Sequence, residues 1–112
     1  FNAMDEALLK RAMAIVEKNM DNIEFSTDEF AREMNMSRSN LHLKLKAITG
    51  ESTIDFIRKI RFNEAAKLLK DGRYTVAEVS TMVGFNTPSY FATSFKKYFG
   101  CLPTEYIKKS KG

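Results

Sequence analysis

The chain has one cysteine, one histidine and two prolines, and it contains no long apolar run. Each scarcity removes a class of protein. A single Cys101 forbids an internal disulfide and suits a reducing cytosol. With no base partner, it reads as a small loop residue and not as a nucleophile. His42 has no second histidine and no nearby cysteine, so neither a metal site nor a catalytic imidazole is expected. No uncharged apolar stretch approaches the ~20 residues that span a bilayer, and membrane contact is not expected. Asp5 and Glu6, with no apolar block around them, give no sign of a secretory leader. No phosphate loop, metal cluster or triad is present either, so the chain is expected to be no enzyme and to need no cofactor. Strand-like alternation is also missing. An all-α binding module in the cytoplasm is what remains.

Proline and glycine are absent over 53–70, and this stretch predicts one helix about 27 Å long at ~1.5 Å per residue. Ile54, Ile57, Phe62, Ala65, Ala66, Leu68 and Leu69 make one broad apolar side, with Phe56 and Ile60 outside it. So wide an apolar side predicts protein packed on several sides of a linker helix.

The flanks of that linker are two copies of one unit. Ser26-Thr27-Asp28-Glu29 aligns with Thr75-Val76-Ala77-Glu78, and Met34-Asn35-Met36 with Val83-Gly84-Phe85, at an offset of 49. One extra residue then makes the offset 50, so Leu41 falls on Phe91, Leu45 on Phe95, Lys46 on Lys96 and Gly50 on Gly100. Two copies mark a duplicated module, since a solenoid needs about three or more repeats.

Each copy carries the same local signals. Ser26 with Glu29 and Thr75 with Glu78 predict capping boxes, and Phe25 on Phe30 and Tyr74 on Val79 predict staples. These open short helices over about 27–34 and 76–83. Asn35 and Gly84 suit the left-handed residue that ends a helix, while Met36 and Phe85 plug the angle that follows. Ser37 caps a helix over about 38–48. Thr87 caps another over about 88–99, with Pro88 at its favoured first position. Gly50 and Gly100 close them. A first helix spans about 4–19 and a last one 103–109, which makes about seven. Lys108, Lys109 and Lys111 are expected in a disordered end. Phe1-Asn2-Ala3 reads as a cloning remnant ahead of 4–112, a segment cut from a longer chain.

A short capped helix, a tight turn and a longer basic helix make a helix-turn-helix, whose second helix enters the DNA major groove. The fold expected is a homeodomain-like tandem. One subdomain covers about 26–50 and the other about 75–100, with the linker helix between them. At 100° per residue, Leu41, Leu45 and Ile48 form the buried seam of the first recognition helix. Ser39, His42, Leu43 and Lys46 lie opposite. In the second, Phe91, Phe95, Tyr98 and Phe99 form the seam, read as core and not as a stacking platform. Ser89, Ala92, Thr93, Lys96 and Lys97 lie opposite. Neither outer face has an acid. Candidate base contacts are Ser39, His42, Leu43, Ser89 and Thr93. Candidate phosphate contacts are Ser37, Arg38, Lys46, Thr87, Lys96 and Lys97, the helix starts adding free amides and a favourable dipole. Arg58 is expected in a structural ion pair.

Charge agrees with a polyanionic partner. Net charge is +4, but residues 1–36 hold four Lys/Arg against eight Asp/Glu, and 37–112 hold 14 against six. Two recognition helices on one ~27 Å linker would suit successive major grooves, which recur every ~34 Å, as half-sites in tandem. The other function class compatible with the residues is a helical protein–protein interaction module with a basic face.

The same residues resemble the AraC/XylS family of bacterial transcription regulators. The specific pieces are Met36-Ser37-Arg38-Ser39 with Leu41, Lys44-Leu45-Lys46, Thr49-Gly50, Phe56-Ile57-Arg58 and Ala65-Ala66-Lys67-Leu68-Leu69. The second half adds Val83-Gly84-Phe85, Ser89-Tyr90-Phe91, the run Phe95 to Gly100 and Pro103-Thr104-Glu105-Tyr106. Residues 24–46 look most like the output domain of hybrid two-component regulators. The resemblance implies a DNA-binding activator fragment whose sensor and receiver domains lie elsewhere in the full-length chain, with RNA polymerase as a further partner. This chain departs from the family where Leu43 and Thr93 stand, positions where the family often has Arg, or Arg or Lys. A guanidinium there grips guanine bidentately, worth ~1–3 kcal/mol of discrimination. Leu43 instead suits a thymine methyl.

Overall fold

A computed structural model of the chain describes residues 2–111. Among these, seven helices form and no strand. They fall into two compact units, and the division lies inside the long helix, between Ile60 and Arg61. The first unit runs to Asn19 and adds Glu24–Ile60; the second takes Met20–Ile23 and everything from Arg61.

In the first unit, α1 (Ala3–Lys18) starts on Asn2, whose side chain accepts from the Asp5 amide at 2.9 Å. Asn2 and Ala3, read above as part of a remnant, are thus the cap and first residue of this helix; Phe1 lies outside the described residues. Asp5 and Glu6 occupy its positive end, where carboxylates are favoured. Ala12 and Val16, one turn apart, are its buried contacts. Glu33 ties α1 to α2 (Thr27–Glu33): its carboxylate accepts from Lys18 Nζ and Asn19 Nδ2, both at 3.1 Å, and its carbonyl accepts from Arg11 at 3.0 Å. Ser26 caps α2 through the Glu29 amide, and the Phe25 and Phe30 rings lie 5.7 Å apart. The staple therefore forms. The capping box is only half made, because the Glu29 carboxylate pairs with Arg32 instead.

Asn35 takes the left-handed conformation, with φ of 57°. The Met36 amide returns to the Ala31 carbonyl at 3.0 Å, which satisfies a carbonyl at the end of α2. The chain then enters α3 (Arg38–Thr49), which Gly50 closes. Phe30, Leu41 and Leu45 are fully buried, and Phe56 from α4 (Thr53–Asp71) stacks on Phe30 at 6.1 Å. Full burial of each such side chain contributes about 1.5–3 kcal/mol, so these residues carry the unit.

Phe56 and Ile54 reverse the expected assignment. Phe56 is buried, whereas Ile54 is 51% exposed. Arg58 differs too. It is exposed, and none of the ion pairs among the described residues includes it.

In the second unit, α5 (Val76–Met82) has the complete capping box. The Thr75 hydroxyl accepts from the Glu78 amide at 3.1 Å, and the Glu78 carboxylate accepts from the Thr75 amide at 2.9 Å. Hydrogen bonding from Thr75 to the carboxylate, first from its backbone amide and then from its side chain, holds the Glu78 carboxyl below its ordinary range. The short turn after α5 leads into α6 (Pro88–Phe99), capped by Thr87, and α7 (Pro103–Lys111) follows. Lys108, Lys109 and Lys111 lie on the exposed last turns of α7, not in an irregular tail. Phe62, Ala65, Leu69, Val79, Val83, Phe91 and Phe95 make the core. Phe62 meets Phe95 edge-on at 6.3 Å, and Tyr106 meets Phe95 at 5.5 Å. Tyr98 stacks on Phe62 at 4.9 Å yet stays 44% exposed, so it covers the seam and is not inside it.

Gly84 supplies the tightest point of this unit. Its φ is +81°, and a Cβ there would lie 2.7 Å from the Met20 carbonyl oxygen and 2.8 Å from Arg61 Cζ. Arg61 itself is only 9% exposed and donates to the Asn22 carbonyl at 2.9 Å. Burial pushes its guanidinium below the ordinary value, and the Asp21 carboxylate opposes that shift.

Candidate nucleic-acid interface

Both recognition helices are fixed by the same local chemistry. Ser37 Oγ accepts from the Asn40 amide at 3.1 Å, and Thr87 Oγ1 accepts from the Tyr90 amide at 3.1 Å. Each hydroxyl satisfies one of the donors that a helix start leaves over. The amides just before them, Arg38 and Ser39 in one copy and Ser89 in the other, precede the first intrahelical bonds. At the far ends Gly50 and Gly100 adopt φ of 78° and 82°. Caps at both ends hold each helix in phase, and the seam residues set its rotation.

Leu41 and Leu45 are buried in α3, and Phe91 and Phe95 in α6. The opposite sides therefore face outward. Ser39, His42, Leu43 and Lys46 on α3 are exposed, as are Ser89, Thr93, Lys96 and Lys97 on α6. Ser37, Arg38 and Thr87 at the helix starts are exposed as well, while Ala92 is half-buried. All eleven sequence-predicted contacts thus lie on the surface, in two groups, one per unit. No acid occurs within either helix, α3 carrying Arg38, Lys44 and Lys46 and α6 carrying Lys96 and Lys97.

Besides the capping hydroxyls of Ser37 and Thr87, two of these side chains are already engaged. Arg38 Nη1 lies 3.2 Å from the Asp28 carboxylate, with both side chains largely exposed. Such a pair is worth about 0–1 kcal/mol and yields readily to a phosphate. Thr93 Oγ1 donates to the Ser89 carbonyl at 3.0 Å. Its proton is spent within the helix, so toward a base the hydroxyl offers an acceptor, suited to the amino group of adenine or cytosine.

Two exposed residues beside these faces escaped the sequence reading. Ile54 borders an open cleft of about 530 Å³ together with Ser39, His42 and Leu43. Tyr90, on the first turn of α6, is exposed and leans on the Phe85 ring at 5.6 Å. Helical phase could have found Tyr90, which stands 100° from the buried Phe91. Ile54 gave no such signal. Among the described residues no cluster of His, Cys, Asp and Glu could hold a metal, and no helix is long and apolar enough to cross a membrane.

Two capped helix-turn-helix units, each with an acid-free outer helix, define a tandem helix-turn-helix domain. Comparison with known proteins agrees. A family model described as a helix-turn-helix domain matches residues 30–109. The chain belongs to the AraC/XylS-type helix-turn-helix family.

It is 40% identical over 105 residues to "Histidine kinase P4" of Formosa agariphila, a match that covers 94% of this chain but 8% of that protein. It is 32% identical over 102 residues to the HTH-type transcriptional regulator MtrA of Neisseria gonorrhoeae, covering 89% of this chain and 34% of that one. The chain therefore spans only a small part of these relatives. Among solved structures, the C-terminal domain of AraT, a response regulator from Geobacillus stearothermophilus, superposes with a TM-score of 0.84. That match is at 30% identity and covers 91% of this chain and 84% of that one.

Proposed function

We propose that this domain binds duplex DNA sequence-specifically and regulates transcription, each recognition helix entering a major groove. The observation that carries the reading is the pair of exposed, acid-free faces on two capped helices, each fixed by its own buried seam. Ser39, His42 and Leu43 in one unit, and Ser89 and Thr93 in the other, read base edges. Ser37, Arg38 and Lys46, with Thr87, Lys96 and Lys97, hold phosphates, since lysines, arginines and helix starts position a protein on the backbone without reading it. The copies run head to tail, so the half-sites lie in tandem and not as a palindrome.

The domain carries no catalytic activity of its own and works in the cytoplasm. It is the output end of a longer two-component chain whose sensor and receiver domains supply the signal, and it activates by contact with RNA polymerase. The kinase name of the Formosa protein and the response-regulator title of the Geobacillus structure support that context. Gel shifts against a random duplex pool at rising salt test the core of the reading. A selected site bound well above the pool average supports it; affinity that never exceeds the nonspecific level on any duplex overturns it.

A further inference from the structure

We infer that the first unit recognises a thymine methyl through an apolar pair drawn from two helices, Leu43 on α3 and Ile54 on α4. The inference rests on the duplex-DNA reading above and adds to it a specificity residue outside the recognition helix. Leu43 is 64% exposed and Ile54 51% exposed, and both border the cleft of about 530 Å³. Neither exposure comes from a loose segment. Leu43 is locked between the buried Leu41 and Leu45 of the same helix. Ile54 sits in the first turn of α4, where Ser52 Oγ accepts from the Asp55 amide at 3.2 Å and Thr53 is buried. With Thr53, Phe56 and Ile57 anchored inward, helical geometry leaves Ile54 facing out.

The surroundings of the cleft choose its occupant. None of the residues lining it is acidic, and the one formal charge among them is the positive Arg38, whose exposed pairing with Asp28 at 3.2 Å a phosphate can displace. The rim offers Ser39 and His42 as polar partners beside the two aliphatic chains. A mixed edge of that kind, one methyl next to a hydrogen-bond acceptor on a polyanion, is what thymine presents in the major groove through its 5-methyl and O4. Cytosine has neither the methyl nor the acceptor, and deoxyuridine lacks the methyl alone. Ile54 and Leu43 therefore sense the methyl, while Ser39 or His42 can donate to O4.

The test takes a site selected by the domain from random duplexes and replaces each thymine in turn with deoxyuridine. Removing one buried methyl is expected to weaken binding about fourfold, at one or two positions only. Ile54→Ala, at an exposed position and checked for unchanged thermal melting, is expected to erase that thymine-over-uracil ratio while still binding the site. Leu43→Ala, which removes a base contact, is expected to erase the ratio together with some loss of affinity. Specific binding that is indifferent to uracil at every position would overturn the inference and leave the duplex reading standing. A ratio that survives in both variants would do the same. Failure to select any site would remove both.

Discussion

Gly84→Ala isolates the consequence of one crowded turn. At φ of +81° an alanine costs about 1–2 kcal/mol from its left-handed backbone alone. Its Cβ would also lie 2.7 Å from a backbone carbonyl oxygen, that of Met20, and 2.8 Å from Arg61 Cζ. The carbonyl cannot swing aside as a side-chain tip would, so the segment before Glu24 must shift. Arg61 must move too, which loosens its 2.9 Å bond to the Asn22 carbonyl. Overpacking of this sort costs about 1–3 kcal/mol, and a hydrogen bond to a charged group contributes about 1.5–3 kcal/mol, part of which is lost.

The expected total is roughly 3–5 kcal/mol, a large share of the stability of a small domain. Gly100→Ala in the same unit is the control. Its φ is +82°, but a Cβ there meets nothing within 4 Å, so only the backbone term of about 1–2 kcal/mol applies. Urea unfolding followed by circular dichroism measures both. If Gly84→Ala is no more destabilising than Gly100→Ala, the close approach of Met20 and Arg61 is not a constraint and the reasoning fails.

Thr53→Val is expected to stabilise by about 1 kcal/mol, because Thr53 is 6% exposed and its hydroxyl meets no hydrogen-bond partner among the described residues; the same urea titration reads it. Lys96→Ala should weaken binding to all duplexes alike and flatten the salt dependence by about one phosphate contact, whereas His42→Ala should relax preference at one base pair. Binding isotherms at several salt concentrations separate the two. Glu78→Gln probes the complete capping box. The wild-type carboxyl is held below its unfolded value, so its contribution is present above the unfolded pKa and is lost as pH falls through the lowered one. Thermal melts should show wild type above the variant at neutral pH, with the gap closing through the carboxylate range.

Much of the fold was legible because its signals are local. Ser37 and Thr87 behave as caps, Asn35 and Gly84 take the left-handed turn, and Gly50 and Gly100 end their helices. These depend on a few neighbouring residues, and so does the division of α3 and α6 into buried and exposed sides. What failed was set at longer range. The long helix buries Thr53, Phe56 and Ile57 in the first unit and Phe62, Ala65 and Leu69 in the second. One apolar stripe fitted to the whole helix mixes the two sets, which hid Ile54. The burial of Arg61 depends on the Asn22 carbonyl, thirty-nine positions away, and no local pattern encodes that contact. Glu29 could not be foreseen to prefer Arg32, since both partners compete for one carboxylate.

Enrichment of duplexes from a random pool meets the account most directly. Two capped recognition helices in tandem predict a recovered site built of half-sites repeated in the same direction. A pool that stays as random after selection as before, at every salt concentration, would contradict it.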